Sequence, residues 1–401
     1  QRANMYATMN EVAVPRLRKC FQFGADEIET ILPEIHFKPG TGSQDLALSA
    51  ISKVLGLNDA KRDLETLFPT TRTTPSLDPL VTLGNIRRWA LEGLRDDSLL
   101  SLLEMGPLVA PDPAAYADRE PAARKTKASR SVTARQARCV LANAFIGNCM
   151  DVMADGKDPW NVGGLDFREM ICDSIGVGRS KMECLLAYFE TCATLEGTQD
   201  DDRTICFDAI RFVPLRTGSF DGDCSETSFV GEGVVLHAGT MESPTRRTSA
   251  FVNFANANYG YGRFINSCTQ EEILLMCCPE LAVGMLFIGK MKDNEVVNVS
   301  KVRRFCKYSG YLNSFQCLGP VSENEVPPIA TVLTLDACYE RHFTEAMLWR
   351  DVSKAYYSFL ELAEKHEGEG RPIVSTGKWG CGAFGGSAAH KMLQQALAAG
   401  A

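Results

Sequence analysis

Apolar residues in the first hundred positions recur at three- and four-residue spacing, which is typical of amphipathic helices. The spacing is clearest at residues 45–54 and 83–103. It returns at residues 133–149, where Thr133 stands at a helix N-cap position, and at residues 181–194. These segments predict a mainly helical first half of the chain.

Beyond about residue 203 the pattern changes to short runs rich in Val, Ile, Phe and Thr between turn residues, which is typical of strands. Helical segments alternate with these runs, so we predict an α/β domain with a mixed sheet flanked by helices. We place the boundary near residue 200, between a helical accessory domain at 1–200 and an α/β domain at 201–401. The predicted strands are 204–212, 234–237, 249–254, 296–299 and 330–336, and the predicted helices are 270–277, 349–366 and 388–398.

Residues 106–130 interrupt the helical pattern with Pro, Ala and charged residues, which predicts a flexible loop. A basic stretch overlaps the end of this segment and favours a solvated linker that leads into a helix. Its cations are Arg124, Lys125, Lys127, Arg130, Arg135 and Arg138.

Charge and hydropathy narrow the possible functions. The 401 residues carry a formal net charge of −8, which argues against general nucleic-acid binding by phosphate neutralisation. No apolar run approaches the roughly 20 residues needed to span a bilayer, so no membrane association is expected. A polyanionic ligand would have to be bound locally, by backbone N–H groups and a helix N-terminus.

The 15 cysteines are odd in number, and no two of them form a C-x-x-C pair. A zinc site or a disulfide framework usually shows clustered or regular spacing. We therefore predict core thiols, no bound metal and no cofactor, in a reducing compartment such as the nucleus or cytosol.

The segment 253–272 has the pattern of a strand, a glycine loop and a helix start. Gly260 and Gly262 allow close backbone approach to a ligand, and Thr269 with Glu272 matches a capping box. Such a loop is a generic site for a diphosphate. Acidic residues in a first helical turn also interact favourably with the helix dipole, so Glu271 and Glu272 have a purely structural alternative.

Four motifs in consistent order bear a family resemblance. Gln270-Glu271-Glu272 after a glycine loop, the segment 376–386 (TGKWGCGAFGG), the segment 305–311 (FCKYSGY) and the segment 141–145 (LANAF) resemble the poly(ADP-ribose) glycohydrolase family. The resemblance runs from about residue 131 to 395. It implies a macrodomain-like fold with a helical accessory region, and hydrolysis of the ribose–ribose O-glycosidic bonds of poly(ADP-ribose) on modified proteins, releasing ADP-ribose.

The resemblance also implies roles for individual residues. Glu272 would be the general acid/base. Glu271 would position ribose hydroxyls, and Asn256 could position them as well. Tyr308 would stack on the adenine, Phe305 would be a second ligand-facing aromatic and Glu242 would accept from the adenine amino group. Phe305 could equally belong to a hydrophobic sheet edge, Glu242 to an exposed turn and Phe384 to the core. The remaining substrate-binding candidates are Asn253, Gly260, Tyr261, Gly262, Gln270, Gly380, Gly382, Ala383 and Phe384.

The sequence departs from the family pattern at three places. Asn253 stands where the family usually has Asp, Tyr261 replaces the central glycine of the loop, and the chain stops at Ala401 where the family continues. These departures keep open a second hypothesis, an ADP-ribose binding module without hydrolysis. A helical adaptor is a third, and it leaves the glycines unexplained. A monomer without sequence-specific nucleic-acid contacts is expected.

Overall fold

The structure, a computed structural model, describes residues 20–56, 60–68, 78–149, 165–173, 176–219, 233–236, 239, 241, 248–260, 268–321, 329–368 and 370–400. Its helices are α1 Ala25–Ile31, α2 Gln44–Leu55, α3 Ala60–Leu67, α4 Pro79–Leu94, α5 Asp97–Glu104, α6 Ala134–Phe145, α7 Arg168–Cys172, α8 Val177–Leu195, α9 Gln270–Cys277, α10 Glu345–Glu364 and α11 Ala388–Gly400. Its strands are β1 Lys125–Thr133, β2 Thr204–Phe212, β3 Thr248–Ala255, β4 Glu295–Arg303, β5 Cys306–Ser309, β6 Gln316–Pro320, β7 Ile329–Asp336 and β8 Ile373–Ser375.

Six strands form one mixed sheet in the order β1-β2-β4-β7-β3-β8, and β5 and β6 form a separate hairpin. The first three pairings are antiparallel, whereas β7, β3 and β8 run parallel. The carboxyl ends of these three parallel strands therefore lie at the same edge of the sheet. That edge is where α/β sheets commonly bind ligands.

Two apolar layers cover the two faces of the sheet, because adjacent strand residues point to opposite sides. Val297 on one face joins the core shared with the N-terminal helices, α8 and α9. Val296 on the other face joins a second core with α10 and α11. The mixed α/β sheet flanked by helices, with a helical N-terminal region, confirms the predicted fold class.

The spacing of apolar residues predicted the positions of most helices and strands correctly. Residues 45–54 lie within α2, and the predicted helix and strand at 270–277 and 204–212 match α9 and β2. Thr133 caps α6 as expected, since its Oγ1 accepts from Gln136 N at 3.1 Å. The segment 83–103 is two helices, because Asp96 caps a new helix by accepting from Ser98 N and Leu99 N.

The loop predicted at 106–130 ends earlier than expected. From Lys125 onward the chain forms β1, an edge strand paired along its length with β2. Charged side chains suit an edge strand: Lys125 and Lys127 both bind Glu361 of α10. The basic stretch is thus not a solvated linker at these positions, and β1 places part of the region before residue 200 in the main sheet. Residues 234–236 are not a strand.

Within the described ranges no helix is long and apolar enough to cross a membrane.

Candidate active site

The carboxyl ends of β3, β7 and β8 lie at one edge of the sheet, which we call the crest. Two glycine-containing segments beside it are called its walls. The first wall is residues 256–260 together with the start of α9. The second wall is residues 376–386, which follow β8 and lead to α11. In parallel register Ala255 of β3 pairs with Asp336 of β7, so both strands end at the same level.

The Gln270 side chain hydrogen-bonds to the backbone of β3 as a neighbouring strand would, and so holds α9 against β3. Its Oε1 accepts from Phe254 N at 2.7 Å, and its Nε2 donates to Val252 O at 3.2 Å. The short strand β8 pairs with β3 only as far as Phe251 and Ser375. The Gln270 amide therefore continues the pairing beyond the end of β8 and sets the position of the helix start on the crest.

Glu271 holds the loop of the first wall. Its two oxygens accept from Asn256 N at 3.0 Å and from Gly260 N at 3.2 Å. The side chain is buried, and this burial raises the pKa of Glu271 to about 8, with a further contribution from Glu272. The contacts make Glu271 an organiser of the loop, and its predicted contact with ribose hydroxyls stays a prediction.

Glu272 is also buried, and it caps α9. Its Oε2 accepts from Thr269 N at 2.7 Å and from Thr269 Oγ1, as the capping-box prediction required. Among the described residues no hydrogen bond reaches the other oxygen, Oε1. Lys181 of α8, fully buried, lies within electrostatic reach of Glu272 and Cys268. One carboxylate oxygen of Glu272 is thus held by the helix cap.

Gly260 occupies a position that only glycine fits. Its φ is +69°, and a Cβ would lie 2.8 Å from Met285 Sδ. The adjacent candidates Tyr261 and Gly262, and Glu242, lie outside the described residues.

Asn256 and Asn253 occupy different surroundings at the end of β3. Asn256 Oδ1 accepts from Asn258 N at 2.9 Å and shapes the loop. Asn253 is buried in the sheet, where its Nδ2 donates to Thr334 Oγ1 at 3.4 Å. Within the described part of the chain its Oδ1 has no hydrogen-bond partner.

The second wall is held by packing and backbone contacts. Trp379 is fully buried and donates from Nε1 to Leu335 O at 3.0 Å. Gly380 has a φ of +68°, and a Cβ there would overlap Ala337 Cβ. Gly386 N donates to Gly380 O at 2.9 Å. These contacts hold the second wall against the end of β7.

The tip of the second wall is open to solvent at Gly382 and Ala383. Among the described residues, the N–H groups of Gly382, Ala383 and Phe384 have no hydrogen-bond acceptor. His342, which the sequence did not single out for the site, supports this tip: its Nε2 lies 2.8 Å from Phe384 O. Phe384 is half-buried and packs edge-on against Tyr339.

The aromatic residues of the β5–β6 hairpin separate into core and surface. Phe305 is buried and packs edge-on against Tyr188 of α8, with ring centroids 4.6 Å apart. These contacts fit the packing alternative, and the predicted contact of Phe305 with a ligand stays a prediction. Tyr308 is half-buried against Phe315. Tyr311 is the exposed one, at 49%, and its hydroxyl lies 3.9 Å from where a Cβ of Gly382 would be.

A cleft of about 940 Å³ opens beside the crest. Asn256, Asp336, Ala337 and Phe384 are among the residues that line it. Among the described residues, Glu271 and Glu272 do not line it. The cleft therefore joins the ends of β3 and β7 to the second wall and is large enough for a nucleotide-sized ligand.

A buried ionic network fixes the end of β7 beneath this cleft. Asp336 accepts from Lys354 Nζ at 2.6 Å and also pairs with Arg350. Asp351 accepts from Cys338 N at 3.1 Å and pairs with Lys391 of α11. Breaking one member would leave a buried charge unpaired, so the network holds the crest rigidly on α10 and α11.

Residues 225–401 match the family described as poly(ADP-ribose) glycohydrolase (PARG), macro domain fold. Over 197 residues the chain is 29% identical to poly(ADP-ribose) glycohydrolase 1 of Arabidopsis thaliana, covering 47% of this chain and 34% of that protein. It is 33% identical over 170 residues to poly(ADP-ribose) glycohydrolase 1 of Caenorhabditis elegans, covering 37% of this chain and 21% of that protein.

Among solved structures, the poly(ADP-ribose) glycohydrolase of Thermomonospora curvata is 22% identical, with a TM-score of 0.28 over 37% of this chain and 54% of that chain. The chain spans about a third or less of the length of the Arabidopsis and Caenorhabditis proteins. The family match contains α9 and both walls of the crest. This match to the poly(ADP-ribose) glycohydrolase family covers residues 225–401, which is less than half of the chain.

Proposed function

We propose that this chain hydrolyses the ribose–ribose O-glycosidic bonds of poly(ADP-ribose) on modified proteins and releases ADP-ribose. The observation that carries the proposal is the position of Gln270-Glu271-Glu272. The run begins α9 at the carboxyl end of β3, and Gln270 and Glu271 bind β3 and its loop through their side chains. The family match over residues 225–401 and the second glycine wall support the same substrate class.

Glu272 is the general acid and base of the proposed reaction. In its protonated form it donates the proton to the departing ribose 2′-oxygen as the C1″–O2′ bond breaks. The carboxylate then accepts a proton from the water that forms the new C1″–O bond. One water molecule is consumed for each bond that is cleaved. Oε1 is the oxygen suited to both proton transfers, because Oε2 is held by Thr269.

Backbone groups of both walls would bind the diphosphate. The N–H groups at Gly382, Ala383 and Phe384, at the exposed tip of the second wall, would donate to the phosphate oxygens. Gly260 lets the opposite loop approach closely. This local binding suits a polyanionic ligand on a chain of net charge −8.

Tyr311 is better placed than Tyr308 to contact the bound nucleotide. Its ring is exposed beside Gly382, whereas Tyr308 packs against Phe315. A flat aromatic face suits a purine or ribose. We therefore move the proposed stacking role from Tyr308 to Tyr311 within the same hairpin.

The decisive experiment compares wild type with Glu272→Gln on an automodified, polymer-bearing acceptor protein, with free ADP-ribose as the readout. Removing the acid/base should lower the release rate by about 100-fold or more. ADP-ribose binding, measured by calorimetry, should be largely retained.

Glu345→Gln is the matched control, since Glu345 also lies in a first helical turn but is exposed and accepts from Thr217 Oγ1 at 2.8 Å. Its release rate should equal that of wild type. Release that continues unchanged in Glu272→Gln would disprove the mechanism. A wild-type protein that binds ADP-ribose but leaves the polymer intact would instead be a binding module.

A further inference from the structure

Three cysteine thiols that are far apart in the sequence meet in the core near α9. Cys184 lies in α8, Cys306 begins β5 and Cys317 lies in β6. Their sulfur atoms all lie within 4.8 Å of one another. We call these three residues the cysteine cluster. The cluster joins the helical region to the hairpin, so only the tertiary fold assembles it.

A backbone N–H group also reaches the cysteine cluster. Gly319 N, two residues along β6 from Cys317, donates to Cys317 Sγ at 3.4 Å. A thiol that only fills the core needs no such donor. The thiolate is the metal-binding form of cysteine, and backbone N–H groups commonly donate to metal-bound thiolates.

A fourth sulfur stands next to the cysteine cluster. Cys277, the last residue of α9, hydrogen-bonds to Cys306. Zinc takes four ligands in a tetrahedron with Zn–S bonds of about 2.3 Å, which places the sulfurs about 3.8 Å apart. The spacing of the three sulfurs in the cluster is compatible with this geometry, whereas the Cys277 sulfur lies outside the 4.8 Å group and would have to rotate toward it.

We propose that the cysteine cluster binds one structural Zn²⁺ ion, with Cys277 as the fourth ligand. Binding would release the thiol protons of the ligands to solvent, without any redox change. The ion would fasten the hairpin that carries Tyr311 to α8 and to the helix that begins with the acidic pair. The proposal rests on the cysteine geometry alone and is independent of the proposed hydrolysis.

The test uses the full chain, purified with a non-thiol reductant and no chelator. We expect one zinc per chain by elemental analysis. Adding Co²⁺ to metal-free protein should give the visible bands of a tetrahedral cobalt–thiolate site. Cys317→Ser should weaken zinc binding about 100-fold or more, measured by competition with a chromogenic chelator, and Cys277→Ser should weaken it less.

Cys192→Ser is the matched control, because Cys192 is a buried cysteine of the same helix as Cys184 but is not part of the cluster. Its zinc affinity should equal that of wild type. A folded wild type that binds neither zinc nor cobalt, or that binds cobalt octahedrally, overturns the proposal. Equal losses in Cys192→Ser and Cys317→Ser overturn it as well. The cobalt spectrum of wild type decides the matter even where a variant fails to fold.

Discussion

The two walls of the crest are held in place by different means. The first wall is held by side chains, since a buried carboxylate and an amide bind the backbone of β3 and its loop. The second wall is held by its own backbone and by the packing of Trp379 against β7. The first wall should therefore respond to pH and to changes of polar side chains. The second should respond to added volume.

The largest effect should come from adding a methyl group to the second wall. Gly380→Ala forces a positive φ on alanine and drives its Cβ into Ala337, so we expect a loss of about 3 kcal/mol of unfolding free energy. Gly385→Ala is the control: its φ is +70°, yet nothing lies within 4 Å of the added carbon. It should lose only about 1 kcal/mol. Equal losses, measured by urea unfolding, would contradict the packing explanation.

The first wall should instead lose stability as pH rises. Because the folded pKa of Glu271 is about 8 and its ordinary value is 4.5, the unfolded state releases this proton first. The stabilisation is complete below pH 4.5 and is lost as pH rises toward 8, by at most about 1.4 kcal/mol per pH unit. Glu271→Gln should lack this component of the slope.

The measurement is urea unfolding at several pH values between 4.5 and 8. Glu345→Gln should keep the wild-type slope. Parallel curves for wild type and Glu271→Gln would show that Glu271 does not hold its proton in the fold.

A smaller effect should follow from removing the strand-like contact of Gln270. Gln270→Ala leaves Phe254 N and Val252 O without their partner, so about 1–2 kcal/mol of unfolding free energy should be lost. Gln316→Ala, on the exposed hairpin, should stay within about 0.5 kcal/mol of wild type. If both variants match wild type, α9 is positioned by other contacts.

The smallest effect concerns the aromatic residue beside the second wall. Tyr311→Leu should raise KM for polymer about 3- to 10-fold with little change in kcat, because stacking is lost while the acid/base remains. Tyr308→Leu should leave KM nearly unchanged and lower stability instead, since Tyr308 packs against Phe315. The reverse pattern would return the stacking role to Tyr308.

Local patterns predicted much of the fold and the centre of the site. The strand at 204–212, the helix at 270–277 and the Thr269–Glu272 cap depend on neighbours only a few residues away, and the structure confirms all three. Strand β1 was missed because charged edge strands lack the apolar alternation that marks a half-buried strand.

The sequence by itself determined the period of each element, the glycine turns and the acidic helix start, because these depend on local sterics and capping. The tertiary structure decided which groups meet. Both oxygens of Glu271 accept hydrogen bonds from the loop. Phe305 lies in the core and Tyr311 at the surface. The fold also brings together Cys184, Cys306 and Cys317. The sequence alone therefore identifies residues 270–272 as the cap of a helix. Only their long-range contacts with β3 fix that helix at the crest.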